Sequence, residues 1–114
     1  MREQVRDKGR LEHILESIDY AFEFTHNVTF EEYQANNMMR FAVAKNLEII
    51  GEASYKLTKE FCTKHADVEW QTIIKLRHVL VHGYYLLEDI VIWEIVQNDL
   101  PPLKQKIQQI YDTL

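Results

Sequence analysis

From Leu11 onward the apolar residues recur with a helical period. Leu11, Ile14, Leu15, Ile18 and Phe22 stand at i, i+3, i+4, i+7 and i+11, which predicts an amphipathic helix running to about Thr25. Thr29 followed by Glu32 has capping-box spacing, and Asn36 or Asn37 can equally cap the helix that follows, so a short entry turn is expected between them. From about Asn37 to Phe61 the residues Val43, Leu47, Ile50, Leu57 and Phe61 keep the period. That predicts a second helix of roughly 24 residues, about 36 Å long, as the spine of the fold. Gly51 interrupts it at a cost of about 1 kcal/mol relative to alanine. Close packing of a neighbouring helix would recover that cost, and nearby Ala53 and Ser54 favour a narrow crossing.

Cys62 to Asp67 is polar and aperiodic. Trp70, Ile73, Ile74, Leu80 and Val81 then resume a helix that Gly83 can end in left-handed geometry. Ile90 to Val96 is apolar nearly all round, broken by Glu94, and reads as a helix because no partner strand exists. Being apolar on both sides, it serves either as a dimer contact or as a wedge at the centre of one subunit. Asn98 or Asp99 can cap the last helix, with Pro101 and Pro102 in its first turn and Leu103, Ile107, Ile110 and Leu114 as its stripe. The expectation is an all-α fold, an antiparallel four-helix up-and-down bundle with an additional short helix, forming one domain over residues 1–114.

Composition agrees with that reading. Only three glycines and two prolines interrupt a chain that is 46% hydrophobic and 27% charged, the balance of a soluble, helix-forming protein. A chain of 114 residues leaves no room for a second core, so one site, or one per dimer, is expected. Cys62 is the only cysteine, which excludes an intramolecular disulfide and suits a reducing cytoplasm. The charged stretch through Arg10 is no export signal, and no segment approaches the roughly 18 apolar residues of a membrane span. A formal net charge of −5 argues against coating nucleic acid by bulk electrostatics, so neither a membrane nor DNA is an expected partner. Any phosphate ligand must be met by a local patch.

Residues 77–84 read Arg-His-Val-Leu-Val-His-Gly-Tyr, an R-x4-H-x-Y pattern at the end of a helical segment. On a helical wheel Arg77 falls in the stripe of Trp70, Ile74 and Val81, which puts a permanent cation on an apolar face. A guanidinium there must be ion-paired, reach a cleft, or face a subunit interface. Arg77 and His82 lie about 140° apart on an ideal helix and cannot converge on one ligand from one straight helix. Either the helix unwinds at Gly83, or two copies meet across a two-fold axis. The second arrangement would suit RNA cleavage without a metal: one His82 as base on the 2′-hydroxyl, the other as acid on the leaving oxygen, and Arg77 holding the phosphate. In the plainer alternative Arg77 pairs with an acid such as Glu52, and His82 caps carbonyls at a helix end.

The octapeptide and its surroundings resemble the HEPN superfamily, specifically the HepT-like ribonuclease toxins. The motif residues here are Arg77, the polar His78, His82 and Tyr84. The resemblance extends to Leu11-Glu12-His13-Ile14-Leu15, to Asn46-Leu47-Glu48-Ile49-Ile50-Gly51-Glu52-Ala53, and to Trp93-Glu94-Ile95-Val96 through Asp99-Leu100-Pro101-Pro102-Leu103. Two features depart from the commonest form: His78 stands where asparagine is frequent, and Leu86-Leu87 replaces a Gly-Val or Arg-Val turn. The resemblance implies a helical homodimer with a metal-independent endoribonuclease cleft at its interface and no cofactor. It also implies a minimal nucleotidyltransferase antitoxin that transfers AMP to Tyr84. A modified Tyr84 would carry bulk and negative charge beside Arg77 and His82 and repel the RNA backbone.

Two other chemistries compete. Cys62 and His65, with His78 and His82 on one helix face, have the spacing of a zinc finger lacking one cysteine. Against this, the pattern follows some sixty residues of independent helical sequence. The second alternative is a bundle without catalysis that binds a partner or a nucleotide. Among the remaining candidates, Lys56, Lys59 and Lys64 read as a solvated surface, and His13 and His26 as surface residues.

Overall fold

The computed structural model describes residues 2–83 and 87–114, with backbone alone for residues 2–5. Every regular element among the described residues is a helix: α1 (Arg2–Thr25), α2 (Phe30–Ala35), α3 (Asn37–Tyr55), α4 (Lys59–Lys64), α5 (Trp70–Gly83), α6 (Asp89–Glu94), a π-helical segment (Ile95–Asp99) and α7 (Leu100–Asp112). None of these helices is long and apolar enough to cross a membrane.

Local chemistry sets the boundaries. The Glu32 N–H donates to Thr29 Oγ1 at 3.1 Å and the Thr29 N–H donates to Glu32 Oε1 at 3.2 Å, completing the expected capping box. The segment it starts is a six-residue helix rather than a turn. Asn36 then caps α3 by accepting from the Met39 N–H at 3.0 Å.

The expected long second helix is in fact two. It stops at Tyr55, and Thr58 caps a new helix by accepting from the Phe61 N–H at 3.2 Å. What holds the break is Asp7 of α1, only 4% exposed, which accepts from the Thr58 N–H at 2.9 Å and from its hydroxyl at 2.7 Å. Apolar periodicity runs through the break because Leu57 and Phe61 are both buried on either side of it.

Gly83 also departs from expectation. It lies within α5, is buried, and no glycine among the described residues has positive φ. Neither Asn98 nor Asp99 caps α7 with its side chain. Instead α6 runs on through the π-helical segment, where the Leu100 N–H reaches the Ile95 carbonyl. Pro101 and Pro102 cannot donate, and in an unbroken α-helix their rings would press on the carbonyls four residues back, so a wider turn just upstream accommodates them.

The bundle is antiparallel. Asp7 near the start of α1 meets Thr58 just past the end of α3, and Arg40 near the start of α3 pairs at 3.2 Å with Asp89 beyond the end of α5. Lys104 and Tyr111 of α7 reach back to Asp19 and Glu12 of α1 at 2.6 and 2.9 Å. α3 thus lies between α1 and α5, and α7 flanks α1. Leu11, Ile14, Ile18, Val43, Leu47, Ile50, Trp70, Leu80, Ile92, Val96 and Ile107 are buried in the core, following the stripes read from sequence. Val81 and Leu114 were expected in those stripes and are exposed instead.

Candidate functional site

The site begins at the crossing of α3 and α5. A Cβ added at Gly51 would collide with the Arg77 Cβ and stand 2.9 Å from its Cγ and 3.1 Å from its Cα. Only glycine lets the two helices approach this closely, and that approach sets Arg77 beside the last turns of α3. There Arg77 Nε lies 2.8 Å from Glu52 Oε2, and the guanidinium lies over the Tyr55 ring, 6.0 Å from its centroid. The Arg77 Nε is buried and its N–H is not aligned for a hydrogen bond, so this contact is an ion pair. Glu52 Oε1 also faces Lys56 Nζ at 3.5 Å.

Of the three outcomes open to a guanidinium on an apolar face, the structure shows two. Arg77 is ion-paired, and it lines a surface groove of about 420 Å³ together with Arg10 and His13 of α1, Lys45, Glu48 and Glu52 of α3, and Lys56 just past its end. The stripe that carries Arg77 is therefore a rim, with Val81 39% exposed beyond it.

His82 and His78 are exposed on a neighbouring face of α5, with ring centroids 4.7 Å apart and planes tilted by 54°. His82 sits in the last turn of α5. Because α5 remains helical through Gly83, unwinding does not bring His82 round to Arg77. Within one subunit the two residues stay about 140° apart. Tyr84, the expected AMP acceptor, lies outside the described residues.

Among the described residues no group of three or more His, Cys, Asp or Glu side chains is placed to hold a metal ion, so the zinc arrangement weighed for Cys62, His65, His78 and His82 is not assembled. Cys62 is half-buried in α4, and burial, with Asp7 nearby, pushes its thiol pKa up. In the turn after α4, the His65 ring lies 4.6 Å from that of Phe61, and its carbonyl accepts from Trp70 Nε1 at 3.0 Å.

Sequence reasoning left Glu52 outside the site, read His13 as the surface residue it is, and missed Arg10 and Tyr55. Gly51 was the signal for Glu52 and Tyr55, because a glycine that admits a neighbouring helix also brings the residues one and four positions later close to it. Arg10 had no comparable signal.

An all-helical bundle with a half-buried arginine on a polar groove and an exposed histidine pair at one helix end has the form of an anion-handling helical protein. The profile of the family described as Ribonuclease HepT-like matches residues 14–110, and the chain belongs to that family. A Methanocaldococcus jannaschii protein provisionally named an RNase is 39% identical over 101 residues, covering 89% of this chain and 93% of that one. A Thermococcus cleftensis protein named as a probable ribonuclease HepT is 36% identical over 103 residues, covering 90% and 94%. A provisionally named RNase of Caldanaerobacter subterraneus subsp. tengcongensis is 35% identical over 100 residues, covering 88% and 89%. No solved structure matches.

Proposed function

We propose that this protein is an endoribonuclease that acts as a homodimer, with Arg77 and His82 as its catalytic residues and His78 in support. The family match spanning the Arg77–His82 segment carries this reading. A straight α5 gives the second copy a specific purpose: two copies can bring two imidazoles and two guanidiniums around one cleft. Exposed apolar side chains support the association: Met38 and Phe41 of α3, Val81 of α5, and Ile90 and Val91 of α6.

In that cleft one His82 takes the proton of the ribose 2′-hydroxyl, and the oxygen attacks the adjacent phosphorus. The bond to the 5′-oxygen breaks, and the leaving oxygen takes a proton from the second His82. The products are a 2′,3′-cyclic phosphate and a 5′-hydroxyl. Arg77, oriented by Glu52, stabilises the charge on the pentacoordinate phosphate. No metal takes part. The single domain, residues 1–114, acts in the cytoplasm as the toxin of a toxin–antitoxin pair, and a minimal nucleotidyltransferase silences it by transferring AMP to Tyr84.

One observation favours a second reading, a binding module without catalysis: Glu52 already meets the charge of Arg77 within the fold. The experiment that decides is cleavage of total cellular RNA by the purified protein in excess EDTA, with His82→Ala beside it. Cleavage that survives chelation and disappears in the variant supports the reading. Cleavage that persists in the variant removes His82 from the site, and no cleavage by an unmodified wild-type protein, checked by intact mass, favours the binding module.

A further inference from the structure

The groove beside Arg77 holds more positive charge than its own carboxylates match. Four permanent cations line it, Arg10, Lys45, Lys56 and Arg77, against Glu48 and Glu52, in a chain whose net charge is −5. The carboxylates are already engaged: Glu48 with Lys45 at 3.3 Å, and Glu52 with both Lys56 at 3.5 Å and Arg77 at 2.8 Å. Arg10 has no ion pair among the described residues. Its Nε, like that of Arg77, is buried without a hydrogen-bond partner. Arg10 is thus the groove cation whose charge no carboxylate of the described residues meets, and an anion in the groove would meet it. Arg10 of α1 shares this groove of about 420 Å³ with Arg77 of α5, which already meets Glu52, and the groove is large enough for a phosphate and its sugar.

We propose that this groove is a phosphodiester-binding subsite, with Arg10 as its principal residue and Lys45 at its rim, holding the RNA strand next to the phosphate that Arg77 engages. The proposal rests on the ribonuclease reading. It assigns Arg10 a role in strand binding apart from the chemistry at His82. Arg10 is suited to it because a planar guanidinium donates two parallel N–H groups to one phosphate.

The test measures binding of a short, fully 2′-O-methylated oligoribonucleotide, which cannot be cleaved through a 2′-oxygen, as a function of salt. For Arg10→Gln the expected result is about tenfold weaker binding and a log–log salt slope shallower by roughly 0.7, the value for each phosphate neutralised on a single strand. Arg10→Lys should restore the slope, and Lys59→Gln, the same charge change on a residue outside the groove, should leave it unaltered. Lys45→Gln should shift the slope in the same direction, and being on an exposed side chain it decides the matter if Arg10→Gln misfolds. Wild-type binding with an unchanged slope in both groove variants overturns the subsite and leaves the ribonuclease reading intact. Wild-type protein that neither binds this probe nor cleaves RNA overturns both. A shifted monomer–dimer equilibrium in Arg10→Gln with unaltered RNA affinity overturns the subsite in favour of a contact between copies.

Discussion

Gly51→Ala tests the crossing on which the site depends. In an isolated helix the substitution would stabilise by about 1 kcal/mol, because alanine is the better helix former. In this fold the new methyl group would collide with Arg77 Cβ and lie 2.9 Å from its Cγ and 3.1 Å from its Cα. Carbon–carbon contacts settle at about 3.5–4.0 Å, so α3 and α5 must separate. No flexible side-chain tip can swing aside, because the obstacle is the root of Arg77. Overpacking of this kind costs about 1–3 kcal/mol, and the rigid neighbour places it at the upper end. The expected balance is a loss of about 2 kcal/mol, which lowers Tm by roughly 10 °C for a domain near this size. Gly9→Ala in α1 is the matched control, since a Cβ there meets nothing within 4 Å. It should raise stability by about 0.5–1 kcal/mol. Thermal and urea unfolding followed by far-ultraviolet circular dichroism reads both variants. A rise in stability for both would refute the close crossing, and with it the placement of Arg77 against Glu52.

Other expectations follow from named contacts. Asp7→Ala leaves the Thr58 N–H and hydroxyl without their acceptor and should cost about 1–3 kcal/mol in urea unfolding; a loss below about 0.5 kcal/mol would show that the α3–α4 break stands without α1. The Tyr33 phenol is fully buried with no hydrogen-bond partner, and burial, reinforced by Asp89 and opposed by Arg40, pushes its pKa from 10.0 up to about 12. The unfolded chain releases this proton from about pH 10 and the folded protein only near pH 12, so the contribution is complete below pH 10 and is lost as pH rises through that window. Tyr33→Phe should therefore be at least as stable as wild type at neutral pH and lose less stability between pH 10 and 12; a steeper alkaline loss in the variant would contradict the buried phenol.

The legible parts of the fold were those set by periodicity. Leu11, Ile14 and Ile18 of α1 and Val43, Leu47 and Ile50 of α3 were readable as core positions because an amphipathic helix repeats its buried face. The break after Tyr55 was not readable in the same way, since Leu57 and Phe61 continue the apolar pattern across it and the cause, Asp7, stands 51 residues away. The π-helical segment was hidden for a related reason: the prolines show that something must yield, but not whether a cap or a widened turn will. At the site, Arg77 was legible as a cation out of place and Glu52 as a candidate partner, a pairing the α3–α5 crossing bears out at 2.8 Å. Gly51 announced that crossing without fixing its register.

The regular course of α5 leads to the sharpest test of the two-copy cleft. If each subunit worked alone, Arg77 would have to serve a phosphate on the groove side while His82 points about 140° away around the helix. If instead one His82 is the base and its mate the acid, a dimer with a single intact His82 is inactive. Wild-type and His82→Ala proteins, mixed in equal amounts and allowed to exchange subunits fully, should then retain about a quarter of the activity of the all-wild-type sample at the same total concentration, because about one dimer in four carries both histidines. Independent subunits would retain about half under the same conditions. The exchange must be verified with differently tagged copies, since unexchanged homodimers also give half. With exchange complete, a quarter supports the shared cleft. Half would show that each subunit completes its own site, so that Arg77 and His82 would have to converge within one chain by a rearrangement of the last turn of α5.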